Sequence, residues 1–159
     1  MINGLHHISM HCHDLDRMID FYSKAFGFEV VGDAFSWKDT PQIDTLIDVP
    51  NSAARGAMLR AGNCYMELFE FAAPRPTPGD KAKNAFDKGY THMCIDCSEI
   101  EQEFVRLKQL GMTFGAAAPV DMGHVKSAYG RDPEGNLIEL QETLAPCDFK
   151  LPKFEAFTG

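Results

Sequence analysis

Residues 4–30 read GLHHISMHCHDLDRMIDFYSKAFGFEV, and the same grammar returns at residues 89–114 as GYTHMCIDCSEIEQEFVRLKQLGMTF. In the first copy residues 5–13 suit a strand, and Asp14, a side chain suited to capping a helix N-terminus, follows directly. Leu15, Met18, Ile19, Tyr22 and Phe26 then keep helical spacing, and Gly27 stands where a chain leaving a helix turns left-handed. In the second copy residues 90–97 suit a strand, Ser98 and Glu101 have the spacing of a capping box, Ile100, Phe104, Leu107 and Leu110 share one helical face, and Gly111 closes the unit. His7 and His92 therefore hold equivalent places, 85 positions apart. Each copy later ends in a strand carrying one glutamate at a matching place, Glu67 in MELFE and Glu139 in IELQE.

The intervening segments extend the match. After the first helix come a strand in FEVVGDAFSW, a short helical candidate around Ile43, Leu46 and Ile47, and strands in RGAMLRAG and CYMELFEFA. In the second copy residues 112–121 give a weaker strand, HVKSAYG a clearer one, and Asp132-Pro133-Glu134-Gly135 a turn into NLIELQE. Both copies thus predict β-α-β-β-β, an α+β fold. The expected organisation is a first module over residues 1–73, a proline-bearing linker over 74–89, a second module over 90–143 and a tail over 144–159.

Alternation along the first strand puts His7, Ser9, His11 and His13 on one face and Ile8, Met10 and Cys12 on the other. The aliphatic face takes the helix, which leaves the histidine face to line a cleft. Tyr65, Glu67, Phe69 and Phe71 share a face in the same way, as do Leu137, Glu139 and Gln141. A carboxylate among apolar neighbours is costly to bury unless its charge is compensated. A divalent cation held by His7, Glu67, His92 and Glu139 would compensate both glutamates, and the two nitrogens and two oxygens suit such an ion. Read singly, each of the four residues is more often a hydrogen-bonded or solvent-facing strand residue; the matched placement favours ligation.

Composition narrows the partners. A net charge of −8 with no basic block argues against nucleic acid and leaves a small molecule as the expected partner. No apolar run reaches the ~20 residues that cross a bilayer, and MINGLHHIS lacks the basic and apolar regions of a secretory signal, so no membrane partner and a cytoplasmic address are expected. Five cysteines in such a chain read as reduced thiols. Cys94 and Cys97 form a CxxC inside a strand-like run, where opposite parity disfavours shared chelation.

The stretches LHHISMHCHDLDRMIDFY, AMLRAGNCYMELFE, GYTHMCIDC and DPEGNLIELQE resemble the vicinal oxygen chelate superfamily, which includes glyoxalase I, methylmalonyl-CoA epimerase, extradiol dioxygenases and the fosfomycin and bleomycin resistance proteins. The resemblance covers about residues 4–143. It implies two βαβββ modules forming a cupped mixed sheet around one divalent metal (Zn, Ni, Mn, Co or Fe), with helices outside and a homodimer as the common assembly. By position it implies His7, Glu67, His92 and Glu139 as ligands, a set similar to that of glyoxalase I, and Glu67 or Glu139 as a base. His11 is a second candidate base, since its ordinary pKa suits proton transfer, while His6 has the opposite parity to His7 and is expected outside the site. The activity so implied is proton transfer next to a carbonyl through a metal-bound enediolate, as in a lyase or isomerase. Two alternatives stay open: an Fe(II)-dependent extradiol-type dioxygenase, and a binding or resistance protein with a groove lined by Phe35, Trp37, Tyr65 and Phe69. Arg55, Arg60, Lys126 and Arg131 are candidate cations for a charged substrate adduct, and the short helix with the loop through Asn51 is a candidate lid.

Overall fold

The computed structural model describes residues 1–75, 83–144, 148, 150 and 151. The middle of the expected linker and most of the expected tail, Cys147 included, lie outside the described residues. Among the described residues no helix is long and apolar enough to cross a membrane.

The first unit runs β1 His7–His11, α1 Leu15–Phe26, β2 Glu29–Trp37, α2 Pro41–Ile47, β3 Ala53–Arg60 and β4 Tyr65–Ala73. Its sheet has the order β1-β4-β3-β2, with β1 parallel to β4 and the other pairs antiparallel. The second unit runs β5 His92–Asp96, α3 Ile100–Gln109, β6 Thr113–Phe114, β7 Val120–Asp121, β8 Val125–Arg131 and β9 Leu137–Thr143. Its sheet has the order β5-β9-β8-β6, and β7 also pairs with β8. Each unit is compact by itself, and each carries the predicted β-α-β-β-β order in an α+β arrangement with a mixed sheet. The weak strand expected over 112–121 divides into β6 and β7, two residues each.

Helix α1 begins as its sequence indicates. The Asp14 side chain accepts from Arg17 N at 3.0 Å, and Gly27 follows the helix at φ 68°. Its Leu15, Met18, Tyr22 and Ala25 are buried, together with Phe21, which lay outside the expected spacing. They cover a sheet face made of Ala57, Leu59, Met66 and Leu68, all buried. In the second unit Ile100, Phe104 and Leu107 of α3 and Ala128, Ile138 and Leu140 of the sheet form the equivalent layer, while Leu110 stays exposed. Burial of these side chains is the main stabilising term in each unit, and it uses one sheet face only.

The start of α3 differs from expectation. Glu99 precedes the helix at φ 56°, and no side chain of its own segment caps it, so the Ser98–Glu101 capping box does not form. The cap comes from the sheet instead: Glu142 accepts from Glu99 N at 2.9 Å and from Ile100 N at 3.3 Å. Glu70 does the same for α1, accepting from Leu15 N at 2.8 Å. The β4 and β9 strands therefore carry two glutamates each, where one was expected. Glu67 and Glu139 face away from the helix, and Glu70 and Glu142, three positions on and of opposite parity, cap it.

The duplication extends to a bracket of charge. Arg55, opposite Glu70, bonds Glu70 at 2.7 Å and Asp16 of α1 at 2.9 Å, while Lys126, opposite Glu142, bonds Glu101 of α3 at 2.6 Å. Arg55 and the Leu15 N–H hold the Glu70 carboxyl below its ordinary pKa.

A candidate metal centre built from paired histidines and glutamates

On the face away from α1, His7 and Glu67 meet. Register puts His7 opposite Tyr65, and Glu67, two positions on, returns to the same face with its Oε2 3.5 Å from His7 Nε2. The second unit repeats this: His92 is opposite Leu137, and Glu139 Oε2 lies 3.2 Å from His92 Nε2. Both histidines turn Nε2 toward the carboxylate because the residue before each engages Nδ1. His6 Nδ1 lies 2.9 Å from His7 Nδ1 while its ring stacks on Tyr65, and Thr91 Oγ1 lies 3.0 Å from His92 Nδ1. His6 is outside the His7–Glu67 contact, as its parity requires, yet it holds His7 in orientation.

Those observations test the fit of a divalent cation. Neighbouring ligands at the usual 2.0–2.2 Å from such an ion stand roughly 3 Å apart, close to both His–Glu separations. In the tautomer that carries its hydrogen on Nδ1, toward His6 Nδ1 or Thr91 Oγ1, each imidazole offers the Nε2 lone pair to a metal, the usual arrangement around a ligating imidazole. The donor chemistry fits in each unit. Each unit by itself supplies two donors, and among the described residues no three His, Cys, Asp or Glu side chains gather into a metal-holding group.

The two contacts differ in their surroundings. Glu139 is not set among apolar neighbours as expected: Ser127 Oγ donates to its Oε1 at 2.6 Å and Tyr129 OH to its Oε2 at 2.9 Å. Tyr129 also stands 3.5 Å from His92 Nε2, with its ring edge-on to the imidazole. Partial burial, then the hydrogen bond and charge of Glu139, push the Tyr129 phenol up to about 12, so it remains a donor at neutral pH. Tyr129 and Ser127 were missed in the sequence, although two hydroxyls of one parity in HVKSAYG, a hairpin away from Glu139, were the available signal.

Beside Glu67 the same face continues as a wall of rings. Phe69 packs edge-on against Phe35 at 5.7 Å and Trp37 at 5.5 Å, and Phe71 packs against Trp37 at 5.7 Å. The Phe35 ring lies over Gly56, where a Cβ would come within 2.7 Å of it. His11 joins this wall rather than the His7–Glu67 contact. It lies about 13 Å along the strand from His7, edge-on to Phe71, with Phe71 N donating to its Nε2 at 3.5 Å.

The remaining candidates have structural roles. Arg55 and Lys126 are committed to their brackets, Arg60 faces Glu29 at 3.6 Å, and Arg131 donates to Gly135 O and Asn84 Oδ1. The short helix α2 is tied down by Asp44, which accepts from Asn51 N, Ser52 N and Ser52 Oγ, while Ser52 Oγ accepts from Trp37 Nε1 at 2.7 Å. That fastening makes the segment a support for Trp37 rather than a lid. A cavity of about 480 Å³ opens at the far end of the first sheet, lined by Lys38, Thr40, Arg55 and Glu70 among others, and neither His7 nor Glu67 reaches it. Among the described residues Cys12, Cys64, Cys94 and Cys97 form no disulfide, and Cys12 Sγ donates to Phe69 O. Partial burial, then nearby carboxylates, pushes Cys97 up to about 12, against a redox role for the CxxC.

Comparisons with known proteins agree with this architecture. The chain is 28% identical to the 2-epi-5-epi-valiolone epimerase of an Actinomyces species, over 92% of this chain and 83% of that protein. Its fold matches a glyoxalase family protein from Bacillus cereus with a TM-score of 0.80, at 20% identity, covering 91% of this chain and 97% of that one. It also matches the fosfomycin resistance protein FosX from Listeria monocytogenes, crystallised with Mn(II) and sulfate, with a TM-score of 0.58 at 20% identity, over 91% of this chain and 96% of that one. The family model of the Glyoxalase/Bleomycin resistance protein/Dioxygenase superfamily matches residues 4–140. That span takes in the first module and the second as far as β9, within which it ends, and the chain belongs to this superfamily, the vicinal oxygen chelate group.

Proposed function

We propose that the chain is a divalent-metal-dependent enzyme that removes and returns a proton at a carbon next to a carbonyl of a small molecule, a lyase or isomerase of glyoxalase type. The observation that carries the reading is the His–Glu contact repeated in both units at one register, with Nε2 facing the carboxylate each time. His7, Glu67, His92 and Glu139 would hold the ion, the two modules being paired within a chain or between copies in a homodimer. When bound, such an ion polarises a carbonyl oxygen and stabilises the negative charge that develops when the neighbouring carbon loses its proton. The epimerase relative supports the same chemistry, because inverting a centre next to a carbonyl is proton removal and return.

The residues divide the work. Glu139 is fixed through both oxygens by Ser127 and Tyr129 and serves as an anchor. Glu67 has His7 as its one polar side-chain partner among the described residues, and so it can swing to take the proton on Oε2 and return it. Phe69, Trp37 and Phe71 flank it with apolar surface that excludes water and seats the carbon skeleton of the substrate. His11, on that wall, faces the skeleton's far end.

The test is metal content followed by solvent-deuterium incorporation into a panel of 2-hydroxyketones, read by NMR. Purified protein should take up stoichiometric divalent metal and catalyse exchange without oxygen. Glu67→Gln should keep some metal and lose exchange, whereas Glu139→Gln should lose both. Failure to take up metal on reconstitution overturns the reading, as does full exchange by Glu67→Gln. Oxygen uptake that requires Fe(II) and a catechol would point to the dioxygenase instead.

A further inference from the structure

The two halves of the proposed centre share their register, and the strand across from each glutamate differs between them. Tyr129 of β8 stands opposite Glu139, and Met58 of β3 stands opposite Glu67. Two pairing positions along, on the same face, Ser127 is opposite Gln141 where Gly56 is opposite Phe69. The second half therefore has two hydroxyls at places where the first has a thioether and a bare backbone.

Those hydroxyls fix the Glu139 carboxylate before any ion arrives. Ser127 Oγ donates to Oε1 at 2.6 Å and Tyr129 OH to Oε2 at 2.9 Å, Cys94 of β5 adds a further side-chain contact, and the Tyr129 ring braces His92 edge-on with centroids 5.1 Å apart. A carboxylate oxygen accepts along more than one direction, so each retains a lone pair for a cation. Two effects oppose. A donor draws electron density from the ligating oxygen, which weakens coordination, but it also removes the freedom of a three-torsion side chain that ligation must otherwise arrest. Outer-shell partners of metal ligands change affinity by about 10- to 100-fold when removed, in the direction of loss, so orientation is the larger effect. Glu67, with His7 at 3.5 Å as its one polar side-chain partner among the described residues, must be ordered at the moment of binding.

We propose that His92 and Glu139 form the pre-arranged seat that captures the divalent ion first, with Tyr129 and Ser127 as its positioning residues, and that His7 and Glu67 join second. The assignment rests on the four-ligand reading above, and it holds whether the halves pair within one chain or between two.

The test is Mn(II) titration of the full chain, with free ion read by electron paramagnetic resonance and affinity by chelator competition. Tyr129→Phe keeps the ring and loses the hydroxyl, and Ser127→Ala removes the second donor. Each should bind Mn(II) about 10-fold more weakly than wild type, with far-UV circular dichroism unchanged and a broadened bound-ion spectrum. Ser127→Thr should restore affinity, and Met58→Leu should leave it within about twofold. His7→Ala should retain a weakened single site where His92→Ala retains none. Wild-type affinity in both Tyr129→Phe and Ser127→Ala overturns the seat, as does equal loss in the two histidine variants. A wild-type protein that binds no Mn(II), Zn(II) or Ni(II) overturns the metal reading itself, a result distinct from either.

Discussion

Replacing Glu70 by Gln tests the helix-capping role that duplication gives the second glutamate of each strand. Gln keeps the length and one acceptor for Leu15 N–H, so the change isolates charge. Two contributions are lost. The negative charge at the N-terminus of α1 is worth about 0.3–1 kcal/mol. The Arg55 fork, with donors 3.1 and 2.7 Å from Glu70 Oε2, is discounted because the Arg55 side chain is 42% exposed, and contributes about 0.2–1 kcal/mol. The expected loss at neutral pH is thus about 0.5–2 kcal/mol. Urea unfolding followed by Trp37 fluorescence reads this in the first unit, since Trp37 is the chain's one tryptophan and lies on β2. A double-mutant cycle with Arg55→Gln should return a coupling of about 0.2–1 kcal/mol. The pH dependence supplies a sign. Glu70 is held below its ordinary pKa in the folded chain by Arg55 and the Leu15 N–H, so its contribution is fully present above the unfolded value and disappears as pH falls through the native one. The gap between wild type and Glu70→Gln should be widest above the ordinary carboxylate range and should close as pH falls below it. A gap that is absent at neutral pH, or that persists unchanged into acid, refutes the capping argument.

Three further outcomes are expected. Gly56→Ala should destabilise the first unit by about 1–3 kcal/mol in the same unfolding assay, because the new Cβ meets the Phe35 ring at 2.7 Å and Leu68 O at 2.8 Å. Ser52→Ala should cost about 1–3 kcal/mol and shift Trp37 emission, since its hydroxyl links Asp44 to the indole N–H, and removal leaves the indole N–H without its acceptor and Asp44 with backbone donors alone. Cys97 should react with iodoacetamide at pH 8 far more slowly than a free thiol, as burial and neighbouring carboxylates push it up to about 12; labelling by mass spectrometry at the rate of a model thiol would contradict this.

The sequence by itself determined what depends on local period. The spacing of Leu15, Met18 and Tyr22 marked α1, parity along residues 7–13 separated the histidine face from the helix-facing one, and repetition paired His7 with Glu67 and His92 with Glu139 as members of one pattern. The tertiary structure decided what depends on which strand lies alongside and at what offset. Glu142, rather than Ser98, caps α3 because β9 runs beside the start of that helix. Tyr129 reaches Glu139 because the β8–β9 register sets them opposite, and a slip of one residue would turn that hydroxyl to the other face. His6 holds His7 because its ring stacks on Tyr65 of the neighbouring strand. Periodicity is written into each segment, whereas register follows from hydrogen bonding and packing between segments far apart in the chain, and the inequality of the two halves is a consequence of register.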